Sequence, residues 1–143
     1  MTVGSTNAPR PSRREREVRE LILVVDDEPA IRRFAARILL GEGYVVHEAG
    51  DGAEALAFIT AGNAAVDVVV SDIVMPRLNG VELIQALATT HPALPVILMT
   101  GYGAGALAER GIAAPCAVLA KPFAAERLVE EVRRCVDASS AGR

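Results

Sequence analysis

Four apolar runs in this chain lead directly into side chains that can do chemistry. LILVV (Leu21–Val25) runs into Asp26, Asp27 and Glu28; the run within VDVVVSD ends at Asp72; PVILM is followed by Thr100; and AVLA (Ala117–Ala120) is followed by Lys121. A carboxylate that closes a buried apolar run is unfavourable unless something beside it needs the charge. Carboxylates at the ends of two such runs, with no histidine or thiolate beside them, suit a hard oxygen-seeking cation such as Mg2+. Capping of the helix that begins at Pro29 would account for Asp27 or Glu28 but not for the full acidic cluster, because adjacent like charges repel. Thr100 and Lys121 add a hydroxyl and an ammonium, a pair suited to a bound anion, with phosphate the obvious candidate. Lys121 is the only lysine in a chain rich in arginine, so a compact ammonium rather than any positive charge is required there.

These groups must be positioned by the segments between them. Val68–Val70 and Leu21–Val25 are continuous apolar runs, the pattern of strands covered on both faces. Pro29 suits the first turn of a helix in which Ile31, Phe34, Ala35 and Ile38 share a face, ending at Gly41 or Gly43. Tyr44–Ala49 carries polar residues and fits an edge strand. Asp51 with Glu54 reads as a capping box for a helix with Leu56 and Ile59 inward, closed by Gly62-Asn63. A further helix runs from Asn79-Gly80 to about Thr90 with Leu83, Ile84 and Leu87 inward, and His91-Pro92 closes it. The segment 101–114 allows a short helix over Ala104–Arg110, and a last helix runs from about Ala124 to Val136 with Leu128, Val132, Cys135 and Val136 on one face. Strands alternating with helices specify an α/β domain with a parallel sheet and helices on both faces, in which ligands bind at the carboxyl ends of the strands.

The 143 residues fit one domain, placed at 21–137 between a disordered leader, 1–20, and a disordered tail, 138–143. A formal charge of −3 points to neither nucleic acid nor an anionic membrane, and the mixed charges of the leader argue against a nucleic-acid-binding arm. Cys116 and Cys135 are too few and too far apart in sequence for a disulfide framework or a zinc site; both read as small core residues, which implies a reducing, cytoplasmic location. No signal sequence or membrane span is legible. His47 reads as a surface residue of the edge strand.

The strings LILVVDDEP, VVVSDIVMPRLNG, PVILMTG and AKPF, in this order, resemble a two-component response-regulator receiver domain over roughly residues 20–137. The resemblance implies a flavodoxin-like doubly wound sheet of five parallel strands in the order 2-1-3-4-5. It implies that Asp72 accepts a phosphoryl group and that Asp27, Asp72 and the backbone carbonyl of Val74 ligate Mg2+, with Asp26 acting mainly through water. Thr100 and Lys121 would contact the phosphoryl oxygens. The donor it implies is a histidine kinase or histidine phosphotransfer protein, and the consequence is altered binding of a downstream protein by a monomer or weak dimer. On this reading the chain is a stand-alone receiver, or one similar to receivers of hybrid histidine kinases, and not an enzyme beyond its own phosphorylation and dephosphorylation.

Many receivers carry an aromatic residue three positions before the lysine, where this chain has Val118; Tyr102 is the nearest aromatic to Thr100. Lys121-Pro122 is a candidate cis bond. Two other functions compete. A phosphatase of the haloacid-dehalogenase type also uses Mg2+ and an aspartyl phosphate, but resembles a DxD pattern after the first strand, whereas Asp26 and Asp27 are adjacent. A constitutive receiver-fold binding module would not need the complete set of site residues.

Overall fold

The computed structural model describes residues 19–101 and 115–141. Their five strands are β1 (Leu21–Val25), β2 (Val45–Ala49), β3 (Val68–Asp72), β4 (Val96–Thr100) and β5 (Ala117–Ala120), all parallel and ordered β2-β1-β3-β4-β5. The helices are α1 (Pro29–Gly41), α2 (Gly52–Ala61), α3 (Gly80–Thr90) and α4 (Ala125–Ala141). The expected doubly wound order is thus observed, with the polar β2 at an edge.

Alternation along the central strands divides the core in two. Leu23, Val25, Val69 and Leu98 pack with Ile59 of α2 and Leu83 of α3. Ile22, Val24, Val70 and Met99 face the other way, onto Leu39 of α1 and Leu128 of α4. Because successive strand residues point to opposite faces, apolar residues at every position are what two covering layers require. Full burial of each large aliphatic side chain is worth about 1.5–3 kcal/mol, so the sheet is a stiff base for the groups at its rim.

Helix ends follow local chemistry. Pro29 opens α1, although its N-cap residue Glu28 makes no side-chain cap bond, so Glu28 is not spent on capping. Asn79 and Glu82 form a reciprocal capping box at the start of α3. Asp51 caps α2 by accepting from the Glu54 amide, and Gly62 ends that helix at φ 73°, where a residue without Cβ is favoured. His91 caps the carboxyl end of α3, its amide bonded to the Leu87 carbonyl at 2.7 Å. His47, expected at the surface of the edge strand, is half-buried and stacked on Phe58 with ring centroids 3.8 Å apart.

Two further expectations are corrected. The last helix continues past Val136 to Ala141, so residues 137–141 extend it instead of fraying, and 142–143 lie outside the described residues. Cys116 and Cys135 are joined in a disulfide with a Cα–Cα distance of 6.2 Å. Their separation of 19 residues hides their proximity. The chain rises along β5 by about 13 Å at ~3.3 Å per residue. It reverses after Lys121 and descends along α4 by about 15 Å at ~1.5 Å per residue, which returns Cys135 to the level of Cys116. The ground for inferring a reducing compartment is therefore removed. Among the described residues no helix is long and apolar enough to cross a membrane.

Candidate functional site

The carboxyl ends of β1, β3, β4 and β5 converge on one rim of the sheet. One carboxylate oxygen from each of Asp26, Asp27 and Asp72 lies within 4.8 Å of the others. Asp26 is fully buried and Asp27 exposed, so the cluster runs from the interior to the surface. The backbone amide of Glu28 donates to Asp26 Oδ1 at 2.9 Å, and Lys121 Nζ donates to Asp26 Oδ2 at 3.0 Å. The same ammonium lies 3.2 Å from Asp72 Oδ1. Lys121 thus bridges two carboxylates. Glu28, although adjacent in sequence, is not part of this cluster.

The sheet's main-chain hydrogen bonds continue into the site. Asp26 N donates to Ala49 O at 3.1 Å, Ile73 N to Met99 O at 3.2 Å and Lys121 N to Thr100 O at 2.8 Å. Thr100, buried at the end of β4, is paired in register with Ala120, which precedes the lysine. The Lys121-Pro122 peptide is cis. Val74 is 62% exposed in the loop after β3, and Gly80 closes that loop by donating to Ile73 O at 2.8 Å. A Cβ on Gly80 would come within 2.4 Å of Asp72 O, so only glycine permits this approach.

The electrostatics set Asp72 apart. Burial and then the charge of Asp26 push its carboxyl above the ordinary value, and the Lys121 ammonium offsets part of this. For Lys121, burial acts to lower the pKa, but the hydrogen bond and charge of Asp26, followed by Asp72, outweigh it and leave the ammonium more firmly protonated. Three carboxylates facing one ammonium leave two negative charges in excess, which matches a divalent cation. The donors are all oxygens, as Mg2+ prefers.

Val118 takes the position where an aromatic residue was noted as absent, and it packs partly buried against the core face that includes Leu98. Tyr102 and the proposed helix at Ala104–Arg110 lie outside the described residues. Two ionic supports were not found from sequence. Arg32 of α1 donates to the Asp26 carbonyl at 2.9 Å and to Glu48 Oε1 at 2.9 Å, tying α1 to the ends of β1 and β2. Arg77, in the loop after β3, donates through Nε to Asp51 Oδ2 at 2.8 Å. Asp51 was legible only as a helix cap, and no local pattern marks a partner 26 residues away.

Comparison with known proteins places these features in context. Residues 22–133 match the family described as response regulator receiver domain. The sensor kinase CckA of Brucella abortus is 39% identical over 117 residues, covering 81% of this chain and 12% of that protein. The response regulator MprA of Mycobacterium sp. (strain KMS) is 41% identical over 113 residues, or 78% of this chain and 48% of that protein. The chain therefore spans about half, or much less, of these relatives. Among solved structures, the receiver domain of NtrX from Brucella abortus superposes with a TM-score of 0.72 at 37% identity, covering 81% of this chain and 98% of that one. A receiver domain protein from Clostridium thermocellum gives 0.77 at 28% identity, with 87% and 99% covered.

Proposed function

The chain belongs to the response regulator receiver family, and from that premise we propose that it accepts a phosphoryl group on Asp72 and thereby changes its binding to a downstream protein. The observation that carries this reading is the Lys121 ammonium 3.0 Å from Asp26 and 3.2 Å from Asp72, beside a three-carboxylate cluster at the end of the sheet. Asp27, Asp72 and the Val74 carbonyl would hold Mg2+, with Asp26 acting through water. Bound there, the cation supplies the charge neutralisation that lets an anionic carboxylate meet an anionic phosphoryl group.

The protein's own residues account for the remaining steps. An Asp72 oxygen bonds to phosphorus as the phosphorus–nitrogen bond of a donor phosphohistidine breaks; the electron pair returns to the imidazole, which takes a proton from water. Asp72 needs no general base, since an aspartate is a carboxylate near neutral pH. Lys121 and the Thr100 hydroxyl stand at adjoining strand ends to receive phosphoryl oxygens, and in-line positioning supplies most of the remaining rate. A histidine kinase or histidine phosphotransfer protein is the donor that fits this chemistry. The protein then catalyses its own phosphorylation and dephosphorylation and no turnover of other substrates.

Incubation of the full chain with a small acyl phosphate and Mg2+, followed by intact-mass measurement, tests the proposal. The expected result is the gain of one acid-stable, base-labile phosphoryl group that is lost with EDTA and in Asp72→Asn. An unlabelled parent, or an Asp72→Asn variant labelled as the parent is, would overturn it.

A further inference from the structure

The residues of the acidic cluster sit on strand ends or beside them, but Val74 sits on a loop, and a loop must be held if its carbonyl is to meet a cation. The 73–79 segment is braced at both ends. At its near end, Ile73 N donates to Met99 O at 3.2 Å and Ile73 O accepts from Gly80 N at 2.8 Å. At its far end it is fastened to the start of α2. Gly52 N donates to Leu78 O at 3.0 Å, and a Cβ on Gly52 would lie 2.2 Å from that oxygen, so the two backbones are in direct contact.

Beside this contact lies the Asp51–Arg77 pair. Asp51 is buried, and its two oxygens have separate tasks: Oδ1 accepts from Glu54 N at 2.9 Å to cap α2, and Oδ2 accepts from both Arg77 Nε and Nη2. Arg77 adopts φ 69°, a left-handed conformation that residues with a Cβ adopt at a cost. The guanidinium fork provides the compensating interaction, a two-donor, charge-assisted grip on a carboxylate that is itself fixed by a helix end. Helix α2 carries none of the site residues, so this grip ties the loop to a part of the fold that the chemistry leaves untouched.

Resting on the phosphoacceptor reading above, we propose that Asp51 and Arg77 are positioning residues that hold the 73–79 loop so that its main chain can serve as a Mg2+ ligand. Neither residue touches the cation; each acts through the loop. The pair therefore tunes how tightly the acidic site takes up Mg2+, as residues behind a metal's direct ligands commonly do.

Three variants of the full chain separate this role from simple stabilisation. Arg77→Gly removes the guanidinium while accepting the positive φ without penalty. Asp51→Asn retains an oxygen for the Glu54 amide but loses the charge that holds Arg77. Arg77→Lys retains a cation. Isothermal titration with MgCl2, below each variant's melting temperature, is expected to show about tenfold weaker Mg2+ binding in Arg77→Gly and Asp51→Asn, the lower end of the range typical of lost outer-shell support, with Arg77→Lys in between. The Mg2+ concentration for half-maximal labelling by an acyl phosphate should rise in parallel. If the parent binds Mg2+ and is labelled on Asp72 while Arg77→Gly and Asp51→Asn bind Mg2+ within about twofold of it, this inference fails whatever their melting temperatures. If the parent binds no Mg2+, the phosphoacceptor reading fails with it.

Discussion

Reduction of the Cys116–Cys135 bond should destabilise the protein by an amount set by the loop it closes. The two residues are 19 apart, and the enclosed segment contains β5, Lys121 and the first part of α4. The loop-entropy relation gives about 3 kcal/mol for a ring of this size at 25 °C, mostly through a less restricted unfolded chain. Native packing should change little, because Cys135 is fully buried among apolar residues and a buried thiol is tolerated there. With a urea slope of roughly 1.5–2 kcal/mol/M, the midpoint of unfolding should fall by about 1.5–2 M on reduction. The melting temperature should fall by on the order of 10 °C. The assay is equilibrium urea unfolding followed by circular dichroism, with and without a dithiol, together with thiol counting on denatured, unreduced protein. Cys116→Ser should match the reduced parent and show no further response to the dithiol. Coincident unfolding curves for oxidised and reduced parent, or a Cys116→Ser curve that coincides with the oxidised parent's, would refute the reasoning. The bond also bears on location, since disulfides persist poorly in a reducing compartment.

Other predictions concern the rim of the sheet. Asp72 has a folded pKa raised above its ordinary 3.8, so its charge opposes folding increasingly as pH rises through 3.8 to the raised value, and the full cost is present at neutral pH. Asp72→Asn in metal-free buffer should therefore melt above the parent near pH 7 and lose that advantage below 3.8; a lower melting temperature at pH 7 would contradict this. Asp51 has the opposite sign. The Glu54 amide first, and then Arg77 against the opposing effect of burial, hold its pKa below 3.8, so its contribution is present above that value and is lost as pH falls through the lower folded one. Gly80→Ala should cost about 1–3 kcal/mol, as overpacking does, because the new Cβ would lie 2.4 Å from Asp72 O and must displace the acceptor's backbone. At Gly41, where a Cβ meets nothing within 4 Å, the same change should be neutral or should stabilise by up to about 1 kcal/mol; urea unfolding of the two variants distinguishes the cases.

Much of this architecture was legible because its causes are local. The apolar runs before Asp26, Asp72 and Thr100, the proline opening α1 and the Asn79–Glu82 box each announce an element through neighbouring residues. Their common direction places their carboxyl ends together, so the site residues could be grouped before any coordinates. What escaped is non-local. The Cys116–Cys135 bond depends on β5 and the first part of α4 covering similar distances in opposite directions. The Asp51–Arg77 pair depends on two loops meeting above the sheet, where Asp51 already had a sufficient local explanation as a cap. The end of α4 was set too early because polar residues after Val136 looked like a tail, although an exposed helical turn can carry them.

The backbone bonds that carry the ladder past the strand ends have a consequence for persistence. Asp26, Ile73 and Lys121 each donate to a neighbouring strand, so the groups around Asp72 share the rare openings of the central sheet and not the frequent ones of surface loops. A chemical mark written on Asp72 would be stored in the part of the molecule that opens least often. Gly101, exposed immediately beyond β4, marks where that shared ladder reaches the surface.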